Sequence, residues 1–332
     1  VLLIEKTTAM TAVTTMALGK NGPLVSTLGL GCMRMSSVWG GPTNDENESI
    51  ATIQMALDNG INFLNTGDFY GSGHNELLVG KAIKGRRNDA FISVKFGGIV
   101  YGGRFLGLDL RPIAIRNFIN YSLVRLGIET IDLYQPCRLD NSVPIEDVIG
   151  TIADLIKEGK VRYLGVSEIT AEQLRKAHSI HPVTALEIGY SLADRQIESD
   201  LLPAAKELGI GVVAFANTAE GLLTGDLKAP LPANDYRQHF SRFQGENLVK
   251  NLEKVAVLKT IAAQKGCTPT QLAIAWVNAQ GDHIMPLVSM SRRSRLPENI
   301  RAMEIVFTPE EMNTLNTHFA PGAILGGTYL QR

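Results

Sequence analysis

Eight short runs rich in β-branched and aromatic residues recur along this 332-residue chain, and helical patterns fill most of the gaps between them. The runs are residues 27–33, 62–65, 90–95, 131–135, 162–167, 184–188, 211–215 and 284–289. In one gap the apolar residues are Ile50, Ile53, Ala56 and Leu57; in another they are Ile115, Phe118, Ile119, Leu123 and Leu126. Spacings of three and four bury one stripe of a helix, while short apolar runs bounded by turn residues suit strands. Strands that alternate with helices pair in parallel. Eight such units, with no Gly-x-Gly-x-x-Gly after the first, predict a closed (β/α)8 barrel rather than an open dinucleotide-binding sheet.

Length alone allows two domains, but α/β barrels run past about 250 residues as one. The expectation is a single barrel over residues 16–332. Residues 1–15 read as a disordered or non-native leader, because Met10 and Met16 are each a reasonable start. Residues 17–26 predict a hairpin around Asn21-Gly22, a tight-turn pair. Residues 226–246 carry prolines and little periodicity, and predict a long connection at the functional end of the barrel.

The formal net charge of -1 gives no basic surface for nucleic acid. Three scattered cysteines, Cys32, Cys137 and Cys267, fit a reducing compartment and argue against a disulfide framework or a zinc cluster. No apolar run is long enough to span a bilayer, and Val1-Leu-Leu-Ile4 is too short for a signal segment. The expectation is a soluble, cytoplasmic protein, monomer or homo-oligomer, whose partner is a small molecule.

Two of the runs end in residues that carry chemistry. One reads Ile61-Asn-Phe-Leu-Asn65-Thr-Gly-Asp-Phe-Tyr70-Gly71, and the next reads Phe91-Ile-Ser-Val-Lys95-Phe-Gly-Gly98. If these strands are parallel neighbours, Asn65, Tyr70 and Lys95 rise at one carboxyl edge. An ammonium beside a phenol stabilises the phenolate and lowers the tyrosine pKa from about 10. The pair is therefore a candidate general acid for an oxygen becoming an alkoxide.

That order of residues resembles the aldo-keto reductases. The likeness runs from about Leu18 to about His318 and includes residues 131–140, Gly165-Val-Ser167-Glu168 and Leu222-Leu-Thr-Gly225. It implies an NADPH-dependent barrel that reduces aldehydes or ketones, with Tyr70 as proton donor and Lys95 beside it. Two positions of the family tetrad differ: its aspartate is Asn65 and its histidine is Cys137. Asparagine can accept a hydrogen bond from Lys95 but cannot neutralise it. A thiol at Cys137 is a weak donor, and its small volume leaves room for a bulkier substrate. Asp68 reads as a solvated loop or capping residue, or else as a substitute carboxylate for Lys95. His74 reads as a helix start.

The resemblance also implies a cofactor site. Arg292, Arg295, Glu298 and Asn299 fall where the family grips an adenosine 2′-phosphate, and the planar guanidinium suits a phosphate. Ser167 and Glu187 fall where the carboxamide is held, and Phe215 where the nicotinamide ring stacks. Val288-Ser289-Met290 and Glu220 depart from the family pattern, the latter in place of an arginine. Trp39, in the loop after the first run, is a candidate substrate-lining aromatic. The altered positions keep two other readings open: a nucleotide-binding barrel with little reductase activity, serving as a redox-sensing or interaction subunit, and a redox-neutral isomerase.

Overall fold

The computed structural model describes residues 13–36, 45–140 and 142–328. Among these, eight parallel strands close into a barrel, and each pairs with the next in chain order. They are β3 (Gly29–Gly31), β4 (Phe63–Gly67), β5 (Phe91–Phe96), β8 (Ile131–Pro136), β9 (Val161–Ser167), β10 (Ala185–Gly189), β11 (Gly211–Phe215) and β12 (Ile284–Ser289). The last strand returns to the first through the pairing Leu287–Gly29. All eight expected runs are strands, and the (β/α)8 architecture follows. No helix among the described residues is long and apolar enough to cross a membrane.

Two antiparallel hairpins stand outside the ring. β1 (Thr15–Ala17) pairs with β2 (Leu24–Ser26) ahead of the barrel. Its left-handed residue is Gly19 (φ 83), not the expected Asn21-Gly22 pair. Leu18 and Val25 from this hairpin pack inside the ring against Phe63, Phe91, Leu133, Ala185, Val213, Met285 and Leu287. The hairpin thereby plugs the amino-terminal end of the barrel and leaves the carboxyl edge for chemistry. Val13 and Thr14 are already tied to the domain, Val13 N to Asn59 O at 3.2 Å and Thr14 O to Thr27 N at 2.9 Å.

The second hairpin, β6 (Gly98–Tyr101) with β7 (Arg104–Leu108), follows β5 directly. The sequence reading has no element there. Helices α1 (Glu46–Asp58), α2 (His74–Ala82), α3 (Pro112–Leu126), α4 (Ile145–Lys157), α5 (Ala171–Ile180), α6 (Leu201–Leu208), α7 (Gly245–Gln264), α8 (Pro269–Asn278), α9 (Leu296–Arg301) and α10 (Pro309–His318) pack outside. The two periodic stripes behave as expected: Ile53, Ala56 and Leu57 of α1, and Ile115, Ile119 and Leu126 of α3, are buried. Pro112 opens α3 and left-handed Gly127 ends it.

The segment 226–246 is a long connection as expected, broken by short 3-10 turns at Tyr236–His239 and Ser241–Phe243. It is anchored rather than loose. Arg242 is fully buried and makes two hydrogen bonds to Asp194, at 2.9 and 2.6 Å. Arg34 reaches across from the β3 side to the Tyr236 hydroxyl at 3.0 Å.

Candidate active site

Strand register brings the candidate residues to one edge. Lys95 on β5 stands opposite Gln135 on β8, Ser167 on β9 opposite Glu187 on β10, and Gly189 on β10 opposite Phe215 on β11. Tyr70 follows β4 in a 3-10 turn, Tyr70–Gly73, that only unusual backbone can make. Gly71, Ser72 and Gly73 are all left-handed, with φ 56, 54 and 93. Such a conformation is costly for Ser72, which has a Cβ. At Gly73 the left-handed backbone itself disfavours a side chain, and a Cβ would push on the Arg125 side chain at 2.8 Å. His74 starts α2, as the sequence implies.

Lys95 and Tyr70 are both buried. The Lys95 ammonium lies 5.4 Å from the centroid of the Tyr70 ring. Its direct partners are Asn65 Oδ1 at 2.6 Å and Glu187 Oε1 at 2.6 Å. The expectation of a buried lysine without a counter-charge therefore fails: the counter-charge comes from β10. Burial weakens the ammonium, but Glu187 and then Tyr70 outweigh it, and the Lys95 pKa sits above the ordinary lysine value.

The expected lowering of the Tyr70 pKa also fails. Burial raises it most; Lys95 pulls it down, and Glu187 pushes it up again. The net shift is upward. Tyr70 therefore keeps its proton at neutral pH.

Asp68 is neither solvated nor a partner of Lys95. It is buried, with Oδ1 unsatisfied and Oδ2 only 3.4 Å from the Gly97 amide, a weak contact. Burial, then the Glu76 carboxylate, pushes its pKa well above the usual range. Cys137 is buried just past β8, and burial, then Asp68, pushes its thiol up to about 12. A thiol so placed is neutral and does not serve as a thiolate nucleophile.

The missed hairpin reaches the Tyr70 region through Phe69. Phe69 meets Tyr70 edge-on at 4.8 Å, and Phe105 of β7 meets Phe69 at 6.4 Å. Gly98 permits this contact, because a Cβ there would lie 2.8 Å from Phe69. A cavity of about 380 Å³ is lined in part by Arg138, Glu168, Thr170, Ile188, Gln196 and Asp200. It adjoins the site through Glu168, which follows Ser167 in a left-handed conformation (φ 52) and accepts from Gly189 N at 3.2 Å.

The residues expected at a cofactor fall along the same edge. Ser167 is buried and the Phe215 ring is half-buried at its strand end. After β12, Arg292 and Arg295 are exposed, and Arg295 contacts Glu298 at 3.3 Å. Glu298 also accepts from Thr268 Oγ1 at 2.9 Å, while Asn299 is buried. Arg293, which the sequence reading passes over, is held by Glu48 at 2.8 Å. Glu187 faces Lys95, and the structure gives it three protein donors: Lys95, Asn65 and Gln135. Gln135 was missed; its signal is a polar residue inside an apolar strand run. Trp39 lies outside the described residues.

Comparison with known proteins decides the class. Residues 27–319 match the profile of the Aldo/keto reductase family. The chain belongs to the aldo/keto reductase family. Among solved structures, it is similar to a glycerol dehydrogenase from Gluconobacter oxydans, with 28% identity and a TM-score of 0.85 over 95% of this chain and 98% of that one. An aldo-keto reductase from Bacillus halodurans, solved in its holo form, has 27% identity and a TM-score of 0.77, covering 96% of this chain and 99% of that one. A thermostable aldo-keto reductase solved with the inhibitor epalrestat has 27% identity and a TM-score of 0.74, covering 92% and 99%. An aldo/keto reductase is an oxidoreductase that acts on small carbonyl compounds with a nicotinamide cofactor.

Proposed function

We propose that this aldo/keto reductase interconverts an aldehyde or ketone with its alcohol, prefers NADP(H), and uses Tyr70 as the proton donor in the reductive direction. The observation that carries the reading is the buried Tyr70 beside a Lys95 whose charge is held by Glu187. The residues present fit the cofactor: two exposed guanidinium groups, Arg292 and Arg295, suit a phosphate, and a half-buried Phe215 ring suits an aromatic face. Ser167, on the neighbouring strand edge, suits the carboxamide. When bound, the reduced nicotinamide supplies hydride to the carbonyl carbon.

Everything else falls to the protein. Tyr70 gives its proton to the carbonyl oxygen as negative charge develops there. Lys95 stabilises the phenolate left behind, and its position is fixed before the reaction begins. Phe69 and Phe105 keep that corner dry, which strengthens the electrostatics. A positioned acid contributes about 10²–10⁴-fold to the rate. Cys137 offers the carbonyl only a weak donor, and leaves volume near the reacting carbon for a bulkier substrate. The test is a panel of carbonyl compounds assayed with NADPH and with NADH. Turnover with NADPH at a higher kcat/KM than with NADH is expected; tight NADPH binding without turnover on any carbonyl overturns the proposal.

A further inference from the structure

Beneath Tyr70, side chains from four strands close one network. Asn65 of β4 accepts from Lys95 Nζ through Oδ1 at 2.6 Å and donates through Nδ2 to Glu187 Oε2 at 2.7 Å. Glu187 of β10 accepts from Lys95 of β5 through Oε1 at 2.6 Å, and from Gln135 Nε2 of β8 through Oε2. Ser93 Oγ sits 3.2 Å from Asn65 Nδ2 and 3.3 Å from Gln135 Nε2. The Lys95 and Glu187 side chains are 8% and 3% exposed, so water contributes little to either charge.

The chemistry of position 65 follows from this closure. Its side chain must accept from an ammonium at one end and donate to a carboxylate at the other. A primary amide does both; a carboxylate does only the first. An aspartate there would set a second carboxylate oxygen 2.7 Å from Glu187 Oε2, where two like charges do not both persist. A glutamine at 187 would leave Lys95 buried with no anion among its present partners. Each position therefore fixes what the other can be.

We propose that Asn65 and Glu187 act as one exchangeable unit, in which a carboxylate seated on β10 and an amide seated on β4 together position Lys95 beside Tyr70. Asn65 is thus not a weakened aspartate. It is the residue that a carboxylate at 187 requires, and Glu187 is a positioning residue whose charge reaches the reaction through Lys95. The inference rests on Tyr70 being the acid–base group, and it extends that reading to the groups around it. The titratable groups acting on Tyr70 are Lys95, Glu187 and Cys137, and those acting on Lys95 are Glu187 and Tyr70; Lys95 in turn acts on Cys32, Cys137 and Glu168. Burial pushes both thiols up to about 12, so neither carries charge at working pH.

The test is the set Asn65→Asp, Glu187→Gln and the double variant, each measured for kcat/KM, for the pH profile of alcohol oxidation, and for melting temperature. Each single change should lower kcat/KM by about tenfold or more through misplacement of Lys95. The double variant, which restores one carboxylate and one amide, should recover to within a few-fold of the parent. In Glu187→Gln the uncompensated ammonium should move the acidic limb of the oxidation profile to lower pH, and the double variant should move it back. Losses that simply add in the double variant, or an unmoved limb in Glu187→Gln, overturn the proposal. If Asn65→Asp does not fold and the double variant does, that is the predicted recovery; if neither folds, the limb in Glu187→Gln decides. If the parent shows no nicotinamide-dependent turnover, the functional reading fails by itself. The melting temperatures then test the unit alone, with recovery in the double variant expected and additive losses overturning it.

Discussion

Replacing Lys95 with methionine removes one member of a buried ion pair and leaves the other in place. The pair is short, 2.6 Å, and both side chains are more than nine-tenths buried. Breaking such a pair by removing one partner costs about 3–5 kcal/mol, chiefly because the remaining charge is stranded. With about 2.1 cal/mol/K of unfolding entropy per residue, a chain of 332 residues gives roughly 0.7 kcal/mol/K, so Lys95→Met should melt about 4–7 °C below the parent. Adding Glu187→Gln removes the stranded charge, and most of that loss should return. Catalysis should not return with it, because Tyr70 still lacks the cation that stabilises its phenolate. Thermal melts and steady-state kinetics on the parent, the single and the double variant separate the two effects. A single variant that melts within about 1 °C of the parent refutes the reasoning, as does a double variant with no thermal recovery.

Three further outcomes follow from the same geometry. Arg292→Ala and Arg295→Ala should each weaken NADPH by about 1.5–3 kcal/mol, the range for a hydrogen bond to a charged group, and NADH much less; titrations with both cofactors check this, and equal losses remove these arginines from 2′-phosphate recognition. Asp68 has its pKa raised by burial and then by Glu76, so its contribution to stability is full below its ordinary carboxylate value and is lost as pH rises through the folded value. Asp68→Asn should accordingly gain stability relative to the parent as pH rises above the ordinary carboxylate range, by on the order of 1 kcal/mol, and a difference that stays flat with pH contradicts the assignment. Cys137→His fills the volume that the thiol leaves free and should lower kcat/KM for bulky carbonyls by about tenfold, while small aldehydes are unharmed or reduced faster; competition assays with paired substrates read this directly.

The barrel was legible because local pattern carries it. Each of the eight strands is a short apolar run, and the helical stripes around Ile53 and Ile115 bury as their spacing implies. Asn65, Tyr70 and Lys95 were legible for the same reason: Asn65 lies inside β4, Tyr70 just past it and Lys95 near the end of β5, and parallel pairing brings these two strands side by side. What escaped is what depends on distance in sequence. Lys95 and Glu187 are 92 positions apart, and no local pattern announces that they touch. Without that contact, Lys95 read as uncompensated. The direction of the Tyr70 shift was misjudged because burial, which outweighs Lys95, is a property of the packed loop rather than of the sequence around it. The β6–β7 hairpin was missed although Gly97-Gly98 and Gly102-Gly103 punctuate it, because its strands are short and interrupted by glycine.

The central claim is that Tyr70 moves the proton. Its most direct test is Tyr70→Phe, which deletes one hydroxyl and keeps the ring that packs on Phe69. Carbonyl reduction by this variant should fall by at least about a hundredfold, the lower bound for a positioned acid, while NADPH affinity measured by titration stays within a few-fold of the parent. Reduction that proceeds at the parent rate with unchanged affinity contradicts the account.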